Sequence, residues 1–312
     1  MRSVVTGGAG FIGSHLCDAL LERGDNVWCA DNLYLGKKKN IDHLSFEERF
    51  HFVLCDVTKP DELDALFEES RPEIVYHLAA NSDIQAGSTD HTIDLRLNFI
   101  STYEVLEAMN RFGCKKIFFA STSAVFGETE GRLFEEYGPL RPISFYGASK
   151  LAAESYISVF VDNYGFQAWI LRFPNVVGER ATHGAVYDFI MKLGRDPHRL
   201  VVLGDGTQTK PYLYVKDLVD AILLVVEKAS EPLAVYHVGN ETLTSVREMA
   251  EIVIEEMGVD AFIEYTGGSK GWVGDVNRFE YDISKIKSLG WTPSCTSTEA
   301  VRLSVRKILG KE

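Results

Sequence analysis

The sequence predicts an α/β protein, a doubly wound parallel sheet with a second, smaller and discontinuous unit towards the C-terminus. Three observations lead there. Short β-branched runs alternate with helical periodicity over the first two thirds of the chain, an order that puts parallel strands between two layers of helices. A glycine-rich turn stands between the first such run and the first helical segment. Beyond Phe173 the alternation loosens into glycine-rich loops and shorter elements.

In chain order, strands are expected at residues 3–5, 27–31, 51–54, 74–78, 116–120 and 167–172, each a short run rich in Val, Ile, Phe or Trp. Between them, apolar residues recurring at helical spacing predict helices at about 11–23, 60–70, 90–112 and 146–164. The C-terminal part reads as a loop "LGDGTQ" (203–208), a helix near 216–228, a strand near 234–238, a helix at 244–257 and a Gly/Trp-rich segment "GGSKGWVGD" (267–275). At 312 residues there is room for two cores. The expected division is residues 1–172 plus about 211–238 for the sheet domain, and 173–210 plus about 239–312 for the smaller one.

Charge and composition narrow the function. A net charge of −13, with lysines 37–39 as the only short basic run, argues against a nucleic-acid partner. No apolar stretch approaches a membrane span or a signal segment. The five cysteines (17, 29, 55, 114 and 295) are odd in number and scattered, without a C-x-x-C pair. That pattern predicts reduced thiols, a cytoplasmic protein and no structural metal.

The most informative stretch is "VVTGGAGFIGSH" (4–15), with Gly7, Gly10 and Gly13 between a predicted strand and a helix that opens at Phe11 and Ile12. Glycines let the backbone turn tightly and approach a pyrophosphate, whose charge the helix N-terminus stabilises. This is a Rossmann-type dinucleotide cradle. Asp31, followed by Asn32, falls at the end of the second strand, where a carboxylate accepts from the adenine ribose hydroxyls and repels a 2′-phosphate, so NAD is favoured over NADP. Asp56 and Val57 stand equivalently after the third strand and hold the adenine edge, or else cap the next helix. With the chain at −13, an anionic cofactor must be held by local donors and not by the overall field.

A second stretch, "SFYGASK" (144–150), places Tyr146 four residues before Lys150, on one face of a predicted helix. Alone, such a pair carries little. Together with "GGAGFIG" (7–13), "VYHLAA" (75–80) and "STSAVFG" (121–127), in that order, it resembles the extended short-chain dehydrogenase/reductase family, which acts on nucleotide sugars. "NVVGER" (175–180), "HGAVYDFIMKL" (183–193), "GDGTQTKPYLYVKD" (204–217) and "KGWVGDV" (270–276) extend the likeness over nearly the whole chain, towards that family's compact prokaryotic UDP-galactose 4-epimerases.

The resemblance implies that Tyr146 is the catalytic acid/base and Lys150 its partner, binding the nicotinamide ribose. A neighbouring ammonium and a positive nicotinamide ring would both lower the phenol's pKa. It implies further that Leu78, Ala79 and Ala80 line the cofactor and that Asn98 steadies the lysine. Thr122 is expected to meet the sugar's O4, with Ser121 and Ser123 as competitors, since a serine-rich strand end can also serve backbone capping. Asn175, Lys210, Lys270 and Asp275, with Ser123, are the implied substrate contacts. Lys210 stands where many relatives carry arginine, which exchanges a bidentate fork for a point charge, and Trp272 departs from the commoner R-x-G-D arrangement. His183 is a further candidate, and His77 reads as a packed support for the cofactor pocket.

The implied chemistry is oxidation of a UDP-sugar at C4 by NAD. In the family's 4,6-dehydratases an Asp-Glu pair follows the threonine, and its decarboxylases carry a glutamate nearby; here Ser123 and Ala124 occupy those positions. Epimerisation at C4, with NAD recycled, is therefore the expected reaction, interconverting UDP-galactose and UDP-glucose. A 4-dehydrogenase or 4-ketoreductase on another nucleotide sugar is the alternative. By analogy the protein is expected to form a homodimer through the helices at 90–112 and 146–164.

Overall fold

β1 (Arg2–Thr6) runs through the glycine turn into α1 (Phe11–Glu22), and β2 (Asn26–Asp31), β3 (Phe50–Leu54), α2 (Pro60–Ser70) and β4 (Ile74–His77) follow. Two short helices, α3 (Ile84–Thr89) and α4 (His91–Asp94), lead through a π-helical turn at Leu95–Ile100 into α5 (Ser101–Arg111). Then come β5 (Lys116–Thr122), β6 (Arg132–Leu133), α6 (Phe145–Tyr164), β7 (Gln167–Phe173) and β8 (Asn175–Val177). The rest comprises α7 (Ala185–Arg195), β9 (Arg199–Val202), β10 (Thr209–Lys210), β11 (Tyr212–Tyr214), α8 (Val215–Lys228), β12 (Leu233–His237), β13 (Thr244–Ser245), α9 (Val246–Met257), β14 (Phe262–Tyr265), β15 (Glu280–Tyr281), α10 (Ser284–Ser288) and α11 (Ser297–Ile308). This computed structural model describes residues 1–129, 131–268 and 279–311.

Seven strands form one parallel sheet in the order β12-β7-β5-β4-β1-β2-β3. The winding reverses between β1 and β4, so the strand ends open a crevice there, the place where such sheets bind ligands. Alternation along each strand feeds two cores. Val5 packs on one face with Leu16 and Leu20 of α1 and Leu218 and Ile222 of α8. Val4 packs on the other with Leu63 and Phe67 of α2, Val105 and Met109 of α5, and Ile157 of α6.

A third core joins Phe189 and Leu193 of α7 to Met249 and Val253 of α9 and Val301 and Val305 of α11. Tyr281, Ile283, Ile286 and Trp291 instead pack with the sheet's first core.

The doubly wound α/β sheet is as predicted, and the six expected sheet strands and the helix at 60–70 fall within a residue or two of their places. One expected helix differs, and α7 and α11 were not expected. The helix expected at 90–112 is interrupted by the π-helical turn, which brings Asn98 to a fully buried position. Among the described residues no helix is long and apolar enough to cross a membrane.

Candidate active site

The cofactor end of the crevice is built from backbone. Gly7 sits at φ 70°, and a Cβ there would lie 2.7 Å from Ala79 N, so the turn after β1 presses against the chain leaving β4. A Cβ on Gly13 would fall 2.2 Å from Gly7 O, which only glycine avoids. No side chain caps α1 at Gly10, leaving the first-turn N–H groups of Phe11 and Ile12 to face the crevice.

Asp31, at the end of β2, ties this loop down: its carboxylate accepts from Leu33 N (2.7 Å) and Ala9 N (3.0 Å). Burial pushes its carboxyl up while those two bonds pull it down. Asn32, Asp56 and Thr58 line a cleft of about 310 Å³ with Tyr34, Ile93, Arg96 and Leu97. Asp56 accepts from Thr58 N (3.0 Å) and Thr58 Oγ1 (2.7 Å) and is held below the usual carboxylate range by those bonds. Val57, beside it, is buried in the second core.

The other end of the crevice is built from buried ionisable side chains. Ser144 caps α6 by accepting from Gly147 N (3.0 Å). A Cβ on Gly147 would lie 2.4 Å from Ala124 O, so this glycine is what lets α6 close on the end of β5. The approach sets the Tyr146 phenol beside the Thr122 hydroxyl, which pulls the phenol's pKa down. Thr122 Oγ1 also accepts from Ala124 N (3.1 Å).

Of the competitors, Ser121 is engaged elsewhere, its hydroxyl donating to Glu154, while Ser123 opens the short helical turn that follows β5. Lys150 is 2% exposed and donates to Ala120 O (3.0 Å), with its ammonium 4.7 Å from the centre of the Phe119 ring.

The electrostatics correct one expectation, that Lys150 lowers the Tyr146 pKa. In the protein alone, burial pushes the phenol up to about 12, the Thr122 bond pulling down and Asp94 adding to the rise. Lys150 itself is pushed down to about 8 by burial, against the pull of Glu154 and Asp94. Its ammonium is spent on the Ala120 carbonyl. The chain's own groups thus favour the protonated phenol and weaken the hold of Lys150 on its proton, and the ring charge of a bound cofactor is left to draw the phenol down.

With this geometry in view, the comparisons are specific. A family model described as the NAD dependent epimerase/dehydratase family matches residues 3–239. The chain belongs to that family.

It is 35% identical over 304 residues to a putative UDP-glucose 4-epimerase of Methanocaldococcus jannaschii, covering 96% of this chain and 95% of that one. It is also 31% identical over 310 residues to UDP-glucuronic acid decarboxylase 1 of Arabidopsis thaliana, covering 96% of this chain and 68% of the other. The solved UDP-glucose 4-epimerase of Thermus thermophilus in complex with NAD superposes with a TM-score of 0.89 at 32% identity, over 100% of both chains. The protein is therefore an enzyme of the NAD-dependent epimerase/dehydratase family, and the residues at its crevice fit NAD: the glycine turn leaves no room for side chains, α1 is uncapped, and a carboxylate closes β2.

Beneath this epimerase/dehydratase site runs a polar network that the sequence did not reveal. Arg172 of β7 makes a forked pair with Glu154 (Nη2–Oε2 2.7 Å, Nε–Oε1 3.0 Å), which also accepts from Ser121. His77 is 1% exposed between Thr6 and Thr102. Thr102 donates to Asn98 O (2.6 Å), so it accepts from His77 Nε2–H (3.1 Å), and Nδ1 accepts from Thr6 (2.7 Å). Burial, with Lys150 nearby, holds this imidazole at about 3, so it is neutral.

Asn98 accepts from Asn81 N (2.6 Å) and donates to Asp94 Oδ1 (3.0 Å), so its connection to Lys150 runs through Asp94 and not by a direct bond. Ala79 N donates to Thr6 Oγ1 (3.3 Å), and Leu78, Ala79 and Ala80 directly follow β4.

Of the substrate candidates, Asn175 is exposed at the start of β8, two residues beyond Phe173, the β7 partner of Thr122. Tyr212 pairs with Asn175, which brings the buried Lys210, two residues earlier, to the same side. His183 is exposed, with Thr182 Oγ1 3.1 Å from its Nδ1. Lys270, Trp272 and Asp275 lie outside the described residues. Among the described residues no cluster of His, Cys, Asp or Glu could hold a metal ion. Sequence reasoning missed Gly147, Asp94, Glu154 and Arg96. Only the glycine directly after Tyr146 carried a signal, as a point of close backbone approach.

Proposed function

We propose that the protein is a 4-epimerase interconverting UDP-galactose and UDP-glucose through a transient 4-keto sugar. The observation that carries this reading is the Tyr146 phenol set beside the Thr122 hydroxyl at the end of β5, followed by Ser123 and Ala124 where a carboxylate would stand in a dehydratase. Thr122 holds the sugar's O4 and Tyr146 removes and returns its proton. Lys150 supplies positive charge and binds the nicotinamide ribose.

NAD, when bound, provides the hydride acceptor at C4. The backbone of Gly7, Gly10, Phe11, Ile12 and Gly13 would hold its pyrophosphate, Asp31, Asn32, Asp56 and Val57 its adenosine, and Leu78, Ala79 and Ala80 its remaining edge. Without an acid beside the ketone to drive elimination or decarboxylation, return of hydride to the opposite face is the simplest outcome, and it regenerates the cofactor. For the hexose to turn over, the nucleotide must stay anchored. We assign that anchoring to residues 173–210 and about 239–312, through Asn175, Lys210, Lys270 and Asp275.

We also propose a homodimer through α5 and α6, supported by an outward apolar face that includes Ile100, Tyr103, Tyr156, Val159 and Tyr164, from 36% to 50% exposed. Light scattering should give twice the chain mass, and Tyr156→Asp should lower it. The cysteines of the described chain are free thiols, four of them buried, which supports a cytoplasmic setting.

The deciding experiment incubates purified protein with UDP-galactose and no added cofactor, following UDP-glucose and the NADH absorbance band together. Equilibration without NADH build-up is expected. Steady NADH accumulation on added NAD, with UDP-galactose or another nucleotide sugar, would replace the epimerase by a dehydrogenase.

A further inference from the structure

Asp94 is a buried carboxylate that the chemistry above leaves without a task. It ends α4, one residue before the π-helical turn, and is 1% exposed. Its Oδ1 accepts from Asn81 Nδ2 (2.8 Å) and Asn98 Nδ2 (3.0 Å). Its Oδ2 has no hydrogen-bond partner among the described residues. Gly87 of α3 covers that oxygen: a Cβ there would stand 1.9 Å from it, so the wall over the carboxylate is bare backbone. Both α3 and α4 pack against α6, which carries Tyr146 and Lys150.

A buried oxygen left without a donor is costly. Neither amide that holds Oδ1 carries a charge to neutralise it. Among the described residues no ion pair reaches it, and the cation whose field it shares is the ammonium of Lys150, on the helix that α4 packs against.

We propose that Asp94 is a positioning residue for the proton-transfer pair: its charge favours the ammonium of Lys150 and the protonated phenol of Tyr146, and so sets the pH range in which the pair works. This rests on the role of Tyr146 and Lys150 proposed above. The surroundings agree in sign. Burial leads and leaves the Asp94 carboxyl raised, Asp83 in the preceding loop adding to it, while Asn81, Asn98 and Lys150 pull it back towards the charged form. Asp94 in turn raises both Tyr146 and Lys150. The other groups facing the pair are Thr122 on Tyr146, Glu154 on Lys150, and His77, which feels the lysine from β4.

The test compares the pH profile of kcat/KM for sugar interconversion in the wild type, Asp94→Asn and Asp94→Ser. Both variants remove the charge; asparagine keeps the shape of the hydrogen-bonding group. Both limbs of the profile should slide to lower pH, by roughly one unit, and by similar amounts in the two variants whatever their rates. A readout free of turnover is the tyrosinate absorbance titration of each background with Tyr146 minus the same background with Tyr146→Phe, in which loss of Asp94 should move the Tyr146 inflection the same way.

Unmoved limbs and an unmoved inflection, even at reduced rate, would overturn the proposal, as would failure of both Asp94 variants to fold. Full turnover in Tyr146→Phe would instead sink the proposed function. An inactive Tyr146→Phe beside an unshifted Asp94→Asn would sink only this inference.

Discussion

At the β1–α1 end of the crevice the work is done by main chain: Gly7, Gly10 and Gly13 shape a turn, and Asp31 fastens it through two N–H groups. At the β5–α6 end it is done by ionisable side chains, the buried Lys150 pushed down to about 8 and His77 to about 3, and the half-buried Tyr146 pushed up to about 12. One end recognises by shape and the other by charge under burial. The difference teaches where each is fragile: the first to added atoms, the second to lost charges and to pH.

The largest effect should come from the charged end. Tyr146→Phe is expected to lower kcat by about 10²–10⁴-fold with little change in KM, the range for loss of a positioned acid/base; steady-state kinetics on UDP-galactose checks it. Next comes the support beneath. Glu154→Gln leaves the Arg172 guanidinium unpaired where both side chains are only 7% exposed, and should cost about 3–5 kcal/mol in urea unfolding.

Acid should then separate the two ends. His77 is held at about 3 against an ordinary value of 6.5, so on acidification the unfolded chain takes up the proton first. The stability this gives is present above about pH 6.5 and is lost progressively as pH falls towards 3. His237, also buried and held at about 3, acts in the same window. Urea midpoints at neutral pH and near pH 4.5 should fall in the wild type, and less steeply in His77→Gln.

The smallest effect on stability is expected from Gly13→Ala, whose methyl meets Gly7 O and which should cost about 1–3 kcal/mol. Its diagnostic is loss of co-purifying NAD at unchanged sugar-site residues, measured by releasing the cofactor from the purified variant.

The cradle was legible because glycine spacing reports backbone directly, and the sheet because β-branched runs and helical stretches alternate without interruption as far as Arg172. The reaction centre was legible only as residue types. Nothing in "STSAVFG" (121–127) sets Ser121 apart from its neighbours; what takes up its hydroxyl is Glu154, 33 positions further along. The pKa directions were not legible because they follow from burial, which a local pattern does not report.

The interruption at Leu95–Ile100 was hidden because its residues keep the helical alternation on either side. The helices α7 and α11 escaped for another reason. They pack on the third core and not on the sheet, so no neighbouring strand marks where they start.

The row Thr6, His77, Thr102 and Asn98 has one further consequence. Its donors all point one way, Thr6 to Nδ1, Nε2 to Thr102 and Thr102 onward, since the last acceptor is the main-chain carbonyl of Asn98. Turning the imidazole over, or adding a second proton to it, would leave one of the threonines without its partner. The row therefore laces β1, β4 and the helix behind them together through the single protonation state of one ring.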